Sequence, residues 1–209
     1  MSCNLRGEKN QVVSPAGEMF PLNELNQFIC NRQLCNHCLR VANCAAFLAR
    51  ILGLMEDEGR TIYLAGLFHD IGKVRVGKTI LSKPSSLTIQ EREIMEKHPV
   101  CGALILLGLG LKGSLLSLVL HHHERFDGNG YPARLRGEEI PVGARILSVA
   151  DAYDAMTSPR SYSRVLSPEE ALDELKRCKG TQFDPVVVEA FIASHHYLTK
   201  RTDKRCLVR

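Results

Sequence analysis

The sequence predicts an all-α domain of about seven to nine helices. Apolar residues recur at three- and four-residue spacing along most of the 209 residues, while the period-two alternation of half-buried strands is nearly absent. Helix start signals precede several of the apolar runs. Thr88-Ile89-Gln90-Glu91 and Ser167-Pro168-Glu169-Glu170 have the form of capping boxes, and Asp184-Pro185 sets an N-cap residue before a proline. A chain of 209 residues with no low-complexity tract suits one globular domain.

Residues 1–20 carry Gly, Pro, Asn and Ser with little periodicity and read as an N-terminal arm. The domain is assigned to 21–200 and a basic tail to 201–209. From Pro21 to Leu54 the helical spacing of residues such as Leu25, Phe28, Val41, Ala45 and Leu48 predicts a long helix or a broken pair, with His37 inside it. Thr61 to Phe68 is a second helix that runs into His69-Asp70-Ile71-Gly72-Lys73, where Gly72 ends it and permits close backbone approach. The capping box at Thr88 opens a helix that carries His98-Pro99; the pattern resumes from Cys101 to Leu107, which puts Pro99 in the first turn of a following helix. Leu115 to Leu120 leads into His121-His122-His123, and Asp127 to Pro132 is turn chemistry throughout. Pro141 to Met156 is helical and bears Arg145, Asp151 and Asp154, and two further helices start at Ser167 and Asp184.

Composition excludes several roles. The formal charge of +4 is modest and its basic residues are scattered, so a surface that coats a nucleic-acid polymer is not expected, whereas a small anionic substrate is compatible. No apolar run approaches the ~20 residues that a membrane span needs, and Met1 to Asn10 lacks the apolar segment of a secretory signal, so a cytoplasmic location is expected. Eight cysteines fall short of a disulfide scaffold. Cys35 and Cys38 form a C-x-x-C, but with no second such pair they read as reduced core thiols.

The donor groups point to metal chemistry. A lone histidine is usually a satisfied core or surface residue, but His37, His69, His98, His122 and His123 recur with Asp70 and Asp151 on or beside predicted helices. Imidazole with carboxylate suits iron, manganese, nickel or zinc better than magnesium or calcium. Seven ligands exceed what one ion takes while leaving an open position, so two divalent ions are expected, with Asp70 as the bridging candidate. Such a pair, ~3.5–4 Å apart, lowers the pKa of a bound water and clamps both oxygens of an in-line displacement, which suits phosphoester hydrolysis. Lys73 and Arg160 are candidate contacts to a substrate phosphate, against the plainer reading of each as a solvated surface residue.

The sequence resembles the HD-GYP family of phosphodiesterases, a branch of the HD superfamily of metal-dependent phosphohydrolases. His69-Asp70-Ile71-Gly72-Lys73 matches H-D-x-G-K, His98-Pro99 with Gly102 matches H-P-x-x-G, and His122 to Pro132 matches H-H-E-x-x-D-G-x-G-Y-P. Ala150 to Ala155 matches A-D-x-Y-D-A, and Gly180 to Pro185 matches G-x-x-F-D-P. The resemblance implies a helical HD-type domain that hydrolyses cyclic di-GMP to pGpG and then GMP by attack of a metal-bridging hydroxide, with iron or manganese as the metal. Its ligands carry over to His37, His69, Asp70, His98, His122, His123 and Asp151, while His121, His195 and His196 fall outside the set. The loop of Gly130, Tyr131 and Pro132 is implied to lie by the site and to meet a partner signalling domain; regulation through a partner or a homodimer stays open. Members with three metals have a glutamate where this sequence has Gln33, so two are expected here, and Ser163 replaces the arginine of the family's R-P-Y-R. The rival readings are an HD-type enzyme for another nucleotide and an inactive, metal-bearing adaptor. Metal content and cyclic-dinucleotide turnover discriminate among them.

Overall fold

The computed structural model describes residues 11–13, 19–21, 31–159 and 164–205. Nine α-helices are found among the described residues, in agreement with the all-α expectation. A two-stranded antiparallel hairpin precedes them, with β1 (Gln11–Val13) paired to β2 (Met19–Pro21) in the register Gln11 to Pro21. Strands of three residues are too short to show an alternation, which is why the arm gave no strand signal.

Helix α1 (Arg32–Ile51) starts at Asn31, whose side chain accepts a hydrogen bond from the Leu34 amide. Of the longer helical stretch predicted here, 22–30 lies outside the described residues. Helix α2 (Glu56–Phe68) begins earlier than Thr61, because Glu56, Asp57 and Glu58 form an acidic first turn that favours the helix dipole without adding to the apolar pattern. The two helices touch backbone to backbone: a Cβ at Gly66 would lie 2.6 Å from Ala42 Cα.

Helix α2 stops at Phe68, before Gly72, and a 3₁₀ turn (Ile71–Arg75) follows. Gly72 therefore does not end the helix; it lets that turn lie on the next element, since a Cβ there would sit 1.9 Å from His98 O and 2.5 Å from Gly102 N. After the short α3 (Lys78–Leu81), the capping box of Thr88 and Glu91 opens α4 (Ile89–Met95). His98 is not on α4: the helix breaks after Met95, and His98-Pro99 opens α5 (His98–Gly108) with the proline in its first turn.

Helix α6 (Ser114–His121) delivers the histidine run, and α7 (Val142–Thr157), α8 (Pro168–Arg177) and α9 (Pro185–Arg205) complete the domain. Helix α7 packs on α1, α2 and α6, and α9 covers α1, α7 and α8. Val41, Leu48, Ile105, Leu147 and Phe191 are among the buried core residues this arrangement encloses, each stabilising the fold by about 1.5–3 kcal/mol relative to exposure. Arg145 ties α7 to the start of α9 by an ion pair with buried Asp184, whose other oxygen accepts the Val186 amide at 2.8 Å.

Candidate metal centre

Three histidines stand at helix ends, and the ends orient them. His69 caps α2, His98 opens α5 just past the end of α4, and His122 caps α6. In each case Nδ1 lies against the carbonyl three residues earlier: His69 on Gly66 O at 2.8 Å, His98 on Met95 O at 2.8 Å and His122 on Val119 O at 2.7 Å. A carbonyl can only accept, so Nδ1 carries a proton, and in the neutral ring the Nε2 lone pair is free. These carbonyls belong to last turns, where helices leave acceptors unpaired.

The donor atoms converge. The donor atoms of His98, His122 and His123 lie within 4.8 Å of one another, as do those of His37, His69 and Asp70. Asp70 faces both groups, with Oδ1 3.5 Å from His98 Nε2 and Oδ2 3.5 Å from His69 Nε2 and 3.8 Å from His37 Nε2. Asp151, reached from α7, puts Oδ1 3.2 Å from His37 Nε2 and 3.9 Å from His69 Nε2. All seven residues singled out as ligands in the sequence are thus brought together.

The electrostatics are those of donors without an acceptor of their charge. His98 Nε2 and His122 Nε2 are 3.3 Å apart, and with both protons on Nδ1 the two lone pairs oppose each other. His69 Nε2 and Asp70 Oδ1 are buried with no hydrogen-bond partner among the described residues, which costs about 1–3 kcal/mol per group unless something compensates. Burial, with neighbouring imidazoles, lowers the pKa of His98 to about 4, that of His123 to about 3 and that of His122 well below the usual value, so these rings are neutral ligands at neutral pH. Burial would raise the pKa of Asp70, but Lys73 and the surrounding histidines hold it well below the usual carboxylate range. Asp151 is likewise held low against its burial by the hydrogen bond from His37. Nitrogen and carboxylate donors of this kind fit a divalent cation.

Lys73 is no free surface lysine: its Nζ donates to Asp70 Oδ2 at 2.6 Å, and its side chain is 26% exposed. Arg160 lies outside the described residues. Tyr131 lies beside the cluster, its ring 5.0 Å from that of His123, while Pro132 is exposed. Gly130 lies against the backbone of Glu124 and Arg125, where a Cβ would sit 2.3 Å from Arg125 N. His195 is engaged elsewhere, 2.5 Å from Tyr153 O–H.

Sequence reasoning missed three supporting side chains. Buried Glu124 accepts from the amides of Ala133 at 2.7 Å and Leu135 at 3.1 Å and so shapes the Gly130-Tyr131-Pro132 loop. Asp154 accepts from His37 Nδ1 at 2.7 Å, and Arg40 in turn donates to Asp154. The spacing of Asp151 and Asp154, three apart on one helix, was the available signal.

A family model described as HD domain matches residues 22–187. The chain is 41% identical over 157 residues to a cyclic di-GMP phosphodiesterase response regulator of Xanthomonas campestris, covering 73% of this chain and 41% of that protein. It is 39% identical over 164 residues to a 3'3'-cGAMP-specific phosphodiesterase of Vibrio cholerae, covering 78% of this chain and 31% of the relative. The chain thus spans well under half the length of these relatives. Among solved structures, an HDG"Y"P protein of Bdellovibrio bacteriovorus superposes with a TM-score of 0.62 at 19% identity, over 79% of this chain and 58% of that one.

Proposed function

The chain belongs to the HD domain family, in the branch that carries the HD-GYP motifs, and on that premise we propose that it is a metal-dependent phosphodiesterase of cyclic dinucleotides. The substrate is cyclic di-GMP, opened to pGpG and then to GMP. We assign two divalent ions, iron or manganese, to His37, His69, Asp70, His98, His122, His123 and Asp151, with Asp70 shared between them. The observation that carries the reading is the opposition of His98 Nε2 and His122 Nε2 at 3.3 Å beside a buried, unpartnered Asp70 oxygen. A positive charge converts that repulsion into attraction. Bound there, the ions would lower the pKa of a water and polarise the phosphodiester.

The protein's own groups do the rest. Lys73 offsets negative charge that develops on a non-bridging phosphate oxygen, being held at the site by Asp70. Tyr131 walls the cluster next to His123, and Gly130 and Pro132 fix its approach; Arg160 is assigned to the substrate phosphate. Contact with a partner signalling domain through this loop belongs to the same reading, as does a cytoplasmic location, since free thiols such as those of Cys38 and Cys44 suit a reducing compartment. No helix of the described residues is long and apolar enough to cross a membrane.

The relative named for 3'3'-cGAMP favours a second reading, a preference for that mixed dinucleotide. One experiment tests both: anaerobic purification, metal analysis, and product identification with cyclic di-GMP, 3'3'-cGAMP and cyclic di-AMP. Metal with turnover of the first supports the proposal, turnover of the second alone selects the alternative, and metal with no turnover assigns the domain to binding rather than catalysis.

A further inference from the structure

Among His37, His69, His98 and His122, His37 differs in what holds it. The other three lean on backbone carbonyls, whereas His37 Nδ1 donates to a carboxylate, Asp154 Oδ2, at 2.7 Å. Asp154 is buried, and Arg40 forks onto it with Nε 2.5 Å from Oδ1 and Nη2 2.9 Å from Oδ2. The same Nη2 reaches Ser158 Oγ at 3.0 Å, just past the end of α7. Arg40 thus holds both oxygens of Asp154 in place beside the His37 ring.

A carbonyl is a neutral acceptor, but a carboxylate drives electron density through the imidazole to the opposite nitrogen and strengthens it as a donor. That nitrogen, Nε2, lies 3.2 Å from Asp151 Oδ1 and 3.8 Å from Asp70 Oδ2. Asp70 faces both halves, but the half around His37 adds a second carboxylate, Asp151, and a carboxylate-backed imidazole to His69. The half around His98, His122 and His123 gathers three imidazoles, two of them backed by neutral carbonyls.

We propose that Asp154, clamped by Arg40, is a positioning residue for His37 and makes the two halves unequal, so that the His37 half binds the tighter ion and loads first. The inference rests on the metal reading of the site. The metal-stripped full chain is titrated with Mn²⁺ by calorimetry and with Co²⁺ by visible absorption. Wild type gives two phases of unequal affinity. Asp154→Asn, which keeps the size and removes the charge, weakens the tight phase by ~10–100-fold and leaves the weak phase unchanged. It also alters the Co²⁺ spectrum of the first equivalent. Arg40→Ala weakens the tight phase less, and Arg40→Lys recovers part of the loss. Unchanged phases in Asp154→Asn overturn the proposal, and so does an equal loss in both phases, which is what a merely structural role gives. Should Asp154→Asn fail to fold, half-exposed Arg40 carries the test, and an unaltered tight phase in Arg40→Ala overturns it. A wild-type chain that binds neither ion instead overturns the metal reading, a distinct result.

Discussion

At Asp70 a single carboxylate answers to Lys73 on one oxygen and to three imidazoles across both. Asp70→Ala is expected to remove metal and abolish turnover, as elemental analysis and product assay would show; full metal content with near-normal turnover contradicts the binuclear reading. Lys73→Ala should lower kcat by ~10²–10³-fold while metal content stays nearly intact. Normal kinetics in that variant would leave the lysine as a charge partner of Asp70 only. Gln33 sits exposed one turn before His37 on α1, so Gln33→Glu should admit a third ion under manganese excess, raising the measured stoichiometry. The seven donors were legible because imidazole and carboxylate in a helical protein have few other uses at such density. Arg40 was not, because an arginine on a helix reads as solvated until its partner, 114 residues away, is brought beside it.

The elements were legible where a local hydrogen bond makes them. Thr88 with Glu91 and Ser167 with Glu170 close both halves of their capping boxes, and each helix starts where the pair predicts. They were illegible where tertiary contact decides. The helix that carries His98 and the 3₁₀ turn after His69 are set by such contact, because the turn packs on the start of α5 at Gly72. Gly72→Ala should cost about 2–3 kcal/mol as the His98 carbonyl is forced aside, lowering the melting midpoint by about 4–12 °C. An unshifted midpoint would mean that the two elements are not seated on each other. The variant should also lose metal, because Asp70 and His98 flank that contact.

Across the whole molecule, the buried imidazoles make stability depend on pH. An unfolded histidine titrates near ~6.5, whereas folded His98 and His123 do so at about 4 and about 3 and His122 well below the usual value. Below neutrality the unfolded chain therefore takes up protons that the folded chain refuses, and stability falls as pH drops from about 7 towards 4. His37 has the opposite sign. Burial opposes its charge, but Asp151 and Asp154 raise its pKa to about 9, so its contribution is present below ~6.5 and is lost as pH rises through about 9. Thermal melts of the metal-stripped protein should thus show a steeper loss from pH 7 to 5 than from pH 7 to 9. A flat acid limb would rule out neutral, buried rings at these positions.

The three carbonyls that hold His69, His98 and His122 lie in the last turns of α2, α4 and α6. Helix ends ordinarily fray, opening and closing far more often than the domain unfolds. Here each opening would release a ring, so the lifetime of a bound ion would be limited by whichever of the helix termini holding its ligands frays fastest. Amide hydrogen exchange in those turns should slow on metal addition, in α2 with the first equivalent and in α4 and α6 with the second, while exchange in α8 stays as it was.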